Sequence, residues 1–131
     1  MKKLIKKVLG ISIITGICLA ATVSPAFASV NYYNVTYHFG GSYISNTAHT
    51  TTNDISMIYL ASSNHFSNGQ SSYNSMSSSQ LNSFFSTHPG GTADCSSYLN
   101  STSSVSSAYS EHEWCYSGDY DSYRKLTINV N

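Results

Sequence analysis

Five histidines (His38, His49, His65, His88, His112) and six acids (Asp54, Asp94, Glu111, Glu113, Asp119, Asp121) are the side chains of this 131-residue chain that could move protons or hold a metal near neutral pH. No two of the histidines stand three or four residues apart, the spacing that puts two ligands on one helical face. Glu111-His112-Glu113 lacks the second histidine of a zinc-hydrolase helix. Asp119-x-Asp121 is not followed by the glycine and late bidentate acid of a calcium loop. No metal and no cofactor are expected. Glu111 and Glu113 would point to one side of a strand, as a glycosidase pair does, but adjacent acids on an exposed face more commonly serve solvation. Serine is too abundant to mark a nucleophile, and no Gly-x-Ser-x-Gly elbow occurs.

The start of the chain decides the compartment in which any such chemistry would run. Lys2, Lys3, Lys6 and Lys7 precede an apolar stretch over residues 8–21, and Ala26-Phe27-Ala28 offers a small-x-small cleavage site. Residues 1–28 are therefore expected to be a secretion signal peptide, and 29–131 a single small extracellular domain. The apolar run is short and broken by Gly10, Ser12, Thr15 and Gly16, so it is a poor membrane anchor. Removing 28 residues from 131 leaves 103, with Arg124 and Lys125 against six acids and a net charge of −4. Two cations neutralise few phosphates, which argues against a nucleic-acid partner, and the acidic balance argues against attack on anionic membranes.

Export leaves Cys95 and Cys115, since Cys18 goes with the signal. An even pair in a small exported domain reads as a disulfide. The stretch Gly91-Thr92-Ala93-Asp94-Cys95-Ser96-Ser97 resembles the Asp-Cys-Ser segment around the nucleophile of the NlpC/P60 cell-wall peptidases. That resemblance implies a cysteine opening a helix, with its thiol acidified there and a histidine as base. The chain departs from the family pattern in having only 36 residues after Cys95 and Ser97 where glycine is usual. A sulfur bonded to Cys115 would also be no nucleophile.

These residues need elements to hold them. Residues 33–39 alternate, with Tyr33, Val35, Tyr37 and Phe39 on one face and Asn34, Thr36 and His38 on the other, the period of a half-buried strand. The polar run through Thr50-Thr51-Thr52-Asn53 reads as loop, residues 55–60 as a second strand, and Asn68-Gly69 as a hairpin turn leading back through Tyr73. Ser77 and Gln80 form a capping box ahead of Leu81, Phe84, Phe85 and His88, and Pro89-Gly90-Gly91 ends that helix. A second helix is expected from Asp94, because Cys95, Tyr98, Leu99, Thr102, Val105 and Tyr109 share a helical face. Alternation returns over residues 109–116, and Leu126, Ile128 and Val130 mark a final strand. The expected fold class is α+β, a small antiparallel sheet with one or two short helices and a single disulfide, with an all-β sandwich as the alternative.

Only 16 of the 103 residues after the signal are Leu, Ile, Val or Phe, whereas 25 are Ser and 11 are Tyr. Tyrosine supplies rigid contact area with a polar tip, and serine and asparagine supply adaptable hydrogen bonds. His112, Trp114, Tyr116, Tyr120 and Tyr123 are the candidate binding residues, an aromatic face for an extracellular glycan, surface polymer or protein. The function expected is a secreted, non-enzymatic binding domain. The alternatives are a bacteriocin-like antibacterial protein and a small cell-wall cysteine hydrolase using Cys95.

Overall fold

Seven strands and one helix follow one another through the described chain: β1 (Val30–His38), β2 (Ile44–Thr52), β3 (Met57–Phe66), β4 (Ser71–Met76), α1 (Ser78–Thr87), β5 (Ala93–Asn100), β6 (Ala108–Tyr116) and β7 (Ser122–Ile128). The structure is a computed structural model that describes residues 30–117 and 122–130. The segment expected to be a secretion signal, Cys18 and Tyr120 lie outside the described residues. The strands form two antiparallel sheets, one in the order β1-β2-β5 and one in the order β4-β3-β6-β7. They face each other across a common interior. At one side Asn74 Nδ2 donates to the Ser96 carbonyl at 2.8 Å, joining the edge strands β4 and β5.

The α+β expectation is corrected: the protein is an all-β sandwich carrying one helix. Residues 50–53 looked like loop because they are polar. Yet threonine is β-branched and suits a strand, and Thr50, Thr51 and Thr52 complete the central strand of the three-stranded sheet. The helix expected from Asp94 is instead β5, paired to β2 from Ala93↔Thr52 to Asn100↔Ser45. Serines 96 and 97 are poor helix formers, and β2 offers that segment a hydrogen-bonding edge. The turn at Asn68-Gly69 forms with Gly69 at φ +88° and Phe66 N–H bonded to the Gln70 carbonyl. The helix α1 forms at the expected place, with Ser77 N–H donating to Gln80 Oε1 at 2.8 Å. Its Leu81 is fully buried and Phe84 and Phe85 pack beside it, closing one end of the interior.

The first strand shows its unexpected face to the interior. Val30, Tyr32, Asn34 and Thr36 are buried, whereas Tyr37 and Phe39 are exposed. Most of the inward residues of the other strands explain why. On β3 they run Leu60, Ser62, Asn64, Phe66; on β5, Ala93, Cys95, Ser97, Leu99; on β6, Ala108, Ser110, His112, Trp114. One apolar cluster (Tyr32, Met57, Leu60, Leu81, Cys95 and Trp114 among others) fills one end. A second (Ile44, Phe66, Val105, Ala108, Ile128) fills the other. A polar layer lies between them, and Asn34 and Thr36 belong to it.

The expected disulfide is absent among the described residues: Cys95 is fully buried in the first apolar cluster and Cys115 is half-buried. Strand alternation accounts for this. Cys95 points inward from one sheet, while Trp114 takes the inward position on β6 and turns its neighbour Cys115 to the outer side.

Candidate functional site

Strand β6 divides the chemistry of the molecule, since its alternate residues enter the buried layer and the outer surface of the four-stranded sheet. Inside, Asn46 Nδ2 donates to Asn34 Oδ1 at 3.2 Å and to Asn64 Oδ1, and Asn46 Oδ1 accepts from Thr36 Oγ1 at 2.7 Å. Ser110 Oγ donates to Asn34 Oδ1 at 2.7 Å. Asn64 Nδ2 reaches the Ser97 carbonyl at 2.8 Å. His112 sits centrally, with Nε2 3.0 Å from Ser110 Oγ and Nδ1 3.0 Å from Thr50 Oγ1. A neutral imidazole presents one donor and one acceptor, and hydroxyl groups can answer either. Burial pushes the His112 pKa down to about 3, the carbonyl of His49 offsetting this in part. Ser110 and His112 are in contact, but both are fully buried, so the pair has no route to a substrate.

The outer face carries a different set. Tyr59, Ala61, Ser63 and His65 from β3, Tyr73 from β4, Tyr109, Glu111 and Glu113 from β6, and Tyr123 and Lys125 from β7 share it by strand alternation. Tyr59 and Tyr73 join their hydroxyls at 2.6 Å, and Tyr59 lies 3.5 Å from Glu113. Tyr123 donates to Glu111 at 2.6 Å, and His65 Nε2 lies 3.4 Å from the other Glu111 oxygen. His65 stacks on Tyr109 with centroids 4.8 Å apart, and the Lys125 ammonium sits 3.8 Å from the Tyr109 ring centroid. Ala61 and Ser63 are buried although they point outward, because the longer side chains lie down across them. Desolvation and the Glu111 carboxylate raise the Tyr123 phenol to about 12. Desolvation and the Tyr73 hydroxyl raise that of Tyr59 as well. Both phenols therefore remain O–H donors near neutrality.

Two clefts open along this sheet. One of about 290 Å³ is lined by His65, Gln70, Ser71, Ser107 and Tyr109 among others. The other, about 260 Å³, is lined by Tyr59, Glu113, Trp114, Ser122 and Tyr123.

Ser63, His65 and Glu111 resemble a hydrolase triad in composition only. Ser63 Oγ is 3.0 Å from His65 Nε2, the nitrogen that also meets Glu111. A relay needs the acid on one ring nitrogen and the nucleophile on the other, so this imidazole cannot pass a proton between them. On the opposite outer surface, His49 Nδ1 pairs with Asp94 Oδ2 at 2.8 Å under the stacked ring of Tyr33. Among the described residues no three His, Cys, Asp or Glu side chains are grouped as metal ligands. The Cys95 thiol is raised to about 11 by burial and by Asp94. It lies within a strand and not at a helix start, the reverse of an activated nucleophile.

The residues expected to make one aromatic face are distributed over the sheet. His112 and Trp114 are buried, with Trp114 stacked on Tyr32 at 5.4 Å, and Tyr116 is half-buried against the first apolar cluster. Tyr123 stands on the outer surface with Glu111 and Glu113. Sequence reasoning missed Tyr59, Tyr73, Tyr109 and His65. Residues 59–65 carry no polar/apolar alternation, and only the pairing of β3 with β4 and β6 brings these four side chains to one face.

No protein-family model, curated protein or solved structure matches this chain. No helix among the described residues is long and apolar enough to cross a membrane.

Proposed function

We propose that this chain is an exported, non-enzymatic binding domain that takes an extracellular glycan on the outer face of its four-stranded sheet. The observation that carries this reading is a pair of hydrogen-bonded sets on one face, Tyr59 with Tyr73 and Glu113, and Tyr123 with Glu111, beside a cleft lined by Tyr59, Glu113 and Tyr123 and on the same sheet as a second lined by His65 and Tyr109. Phenol rings offer flat surfaces to the C–H faces of sugars, and carboxylates accept from sugar hydroxyls. The side chains are already tied to one another, so binding freezes little further motion.

The test is co-sedimentation of the purified chain, expressed without residues 1–28, with insoluble chitin, cellulose and bacterial cell walls. Retention on at least one polysaccharide is expected, with Tyr59→Ala and Tyr123→Ala each reducing it tenfold or more at unchanged thermal midpoint. Retention that survives both substitutions would rule out this face.

A further inference from the structure

We propose that the occupant is one extended, uncharged chain of β-linked pyranoses that lies along the strands and fills both clefts together, an inference that rests on the glycan reading above. The two clefts occupy the same sheet, and each contains tyrosine beside a polar side chain, Tyr109 with Gln70 and Tyr59 and Tyr123 with Glu113. From Tyr109 to Glu113 along β6 is four residues, roughly 13 Å at strand rise. That is longer than one sugar ring, so a single small sugar cannot engage both. Between them Ala61 and Ser63 lie beneath the longer side chains, and Glu111 is held between Tyr123 and His65. An extended chain can run over these tied side chains from one cleft to the other, whereas a sharply bent one would leave at the first cleft.

Charge narrows the chemistry. Glu111 and Glu113 face the path, and Lys125, the cation on this face among the described residues, is drawn over the Tyr109 ring. A polyanion would meet two carboxylates with that cation already engaged. Sugar hydroxyls and acetamido N–H groups instead donate to carboxylates, and the two clefts acting on one chain raise affinity through effective concentration.

The experiment is calorimetric titration of the same chain with β-1,4-linked N-acetylglucosamine oligomers and β-1,4-linked glucose oligomers of two, four and six units, with carboxymethyl cellulose as the anionic comparison. Affinity is expected to rise tenfold or more from two to six units in at least one neutral series. Tyr109→Ala, at one cleft, and Glu113→Gln, at the other, should each bring the hexamer down to the affinity of the dimer. Equal affinity for dimer and hexamer would overturn the two-cleft chain while leaving a one-subsite glycan reading intact. Tighter binding of carboxymethyl cellulose than of the neutral polymers would overturn the charge argument. Failure to bind any of these or any insoluble polysaccharide would overturn this proposal together with the reading beneath it.

Discussion

Two copies of one short motif sit on neighbouring strands and meet opposite fates. In Ser110-x-His112 on β6 and in Ser63-x-His65 on β3, the serine Oγ lies 3.0 Å from His Nε2. The first pair points inward, fully buried, with Thr50 on the second ring nitrogen. The second points outward, beside Glu111 and the face of Tyr109. Identical local chemistry thus becomes a fully buried joint on one side of a sheet and, on the other, a covered serine beneath a histidine that is partly exposed. What differs is solvation, which strand alternation sets and the motif does not.

The comparison breaks most visibly in acid. His112 is held near pKa 3 when folded, against about 6.5 in the unfolded chain, so the unfolded state binds the extra proton between those values. Its contribution is fully present above pH 6.5 and is lost as pH falls towards 3, amounting to about 3 kcal/mol by pH 4. The cross-strand partner of His112 on β7 is Arg124, a second cation that gives an imidazolium no relief. Urea unfolding from pH 7 to pH 4 should show this slope, and His112→Gln should flatten it.

Next in size is Asn46→Ala, which removes three hydrogen bonds from buried partners on β1 and β3 and should cost about 2–3 kcal/mol. Ser110→Ala should cost about 1–2 kcal/mol, against less than about 0.5 for Ser63→Ala, the most direct contrast of the two motifs. A difference near zero in urea midpoints would mean that the fully buried partners of Ser110 do not separate it from Ser63, whose partner His65 is partly exposed. Last, alkylation without reductant should modify both Cys95 and Cys115 once the chain is denatured, and leave Cys95 untouched while it is folded. Mass spectrometry showing a bonded pair would restore the disulfide expectation.

The sequence was legible where residue type and environment agree. Alternation at residues 109–116 and 126–128, the Ser77–Gln80 cap and the Asn68-Gly69 turn all correspond to structure, while the last strand starts earlier than expected, at Ser122, and stops short of Val130. It misled where polar residues are buried. Thr50 looks like loop, and Asn34 and Thr36 look like an outer face, because hydropathy ranks residues singly and cannot see that Asn46 and Ser110 await them. Cys95, Tyr98 and Leu99 of β5 carried helical spacing by coincidence, and the pairing partner β2 decided their conformation. Of the candidate site residues, Tyr123 stands on the outer face, but Trp114 was not recognisable as core. A large aromatic among serines suits either role until its face is known.

The polar layer has a consequence for how the chain finds its register. Period-two alternation tells each strand which side to bury, yet it is blind to a slide of two residues, which restores every inside to the inside. Here such a slide would carry the amide of Asn46 or Asn64 into an apolar end and leave its former partners unanswered. The belt of amides and hydroxyls therefore indexes the strands lengthwise. A sandwich this poor in aliphatic side chains, whose oily contacts alone would forgive such an error, is locked into one alignment by its polar ones.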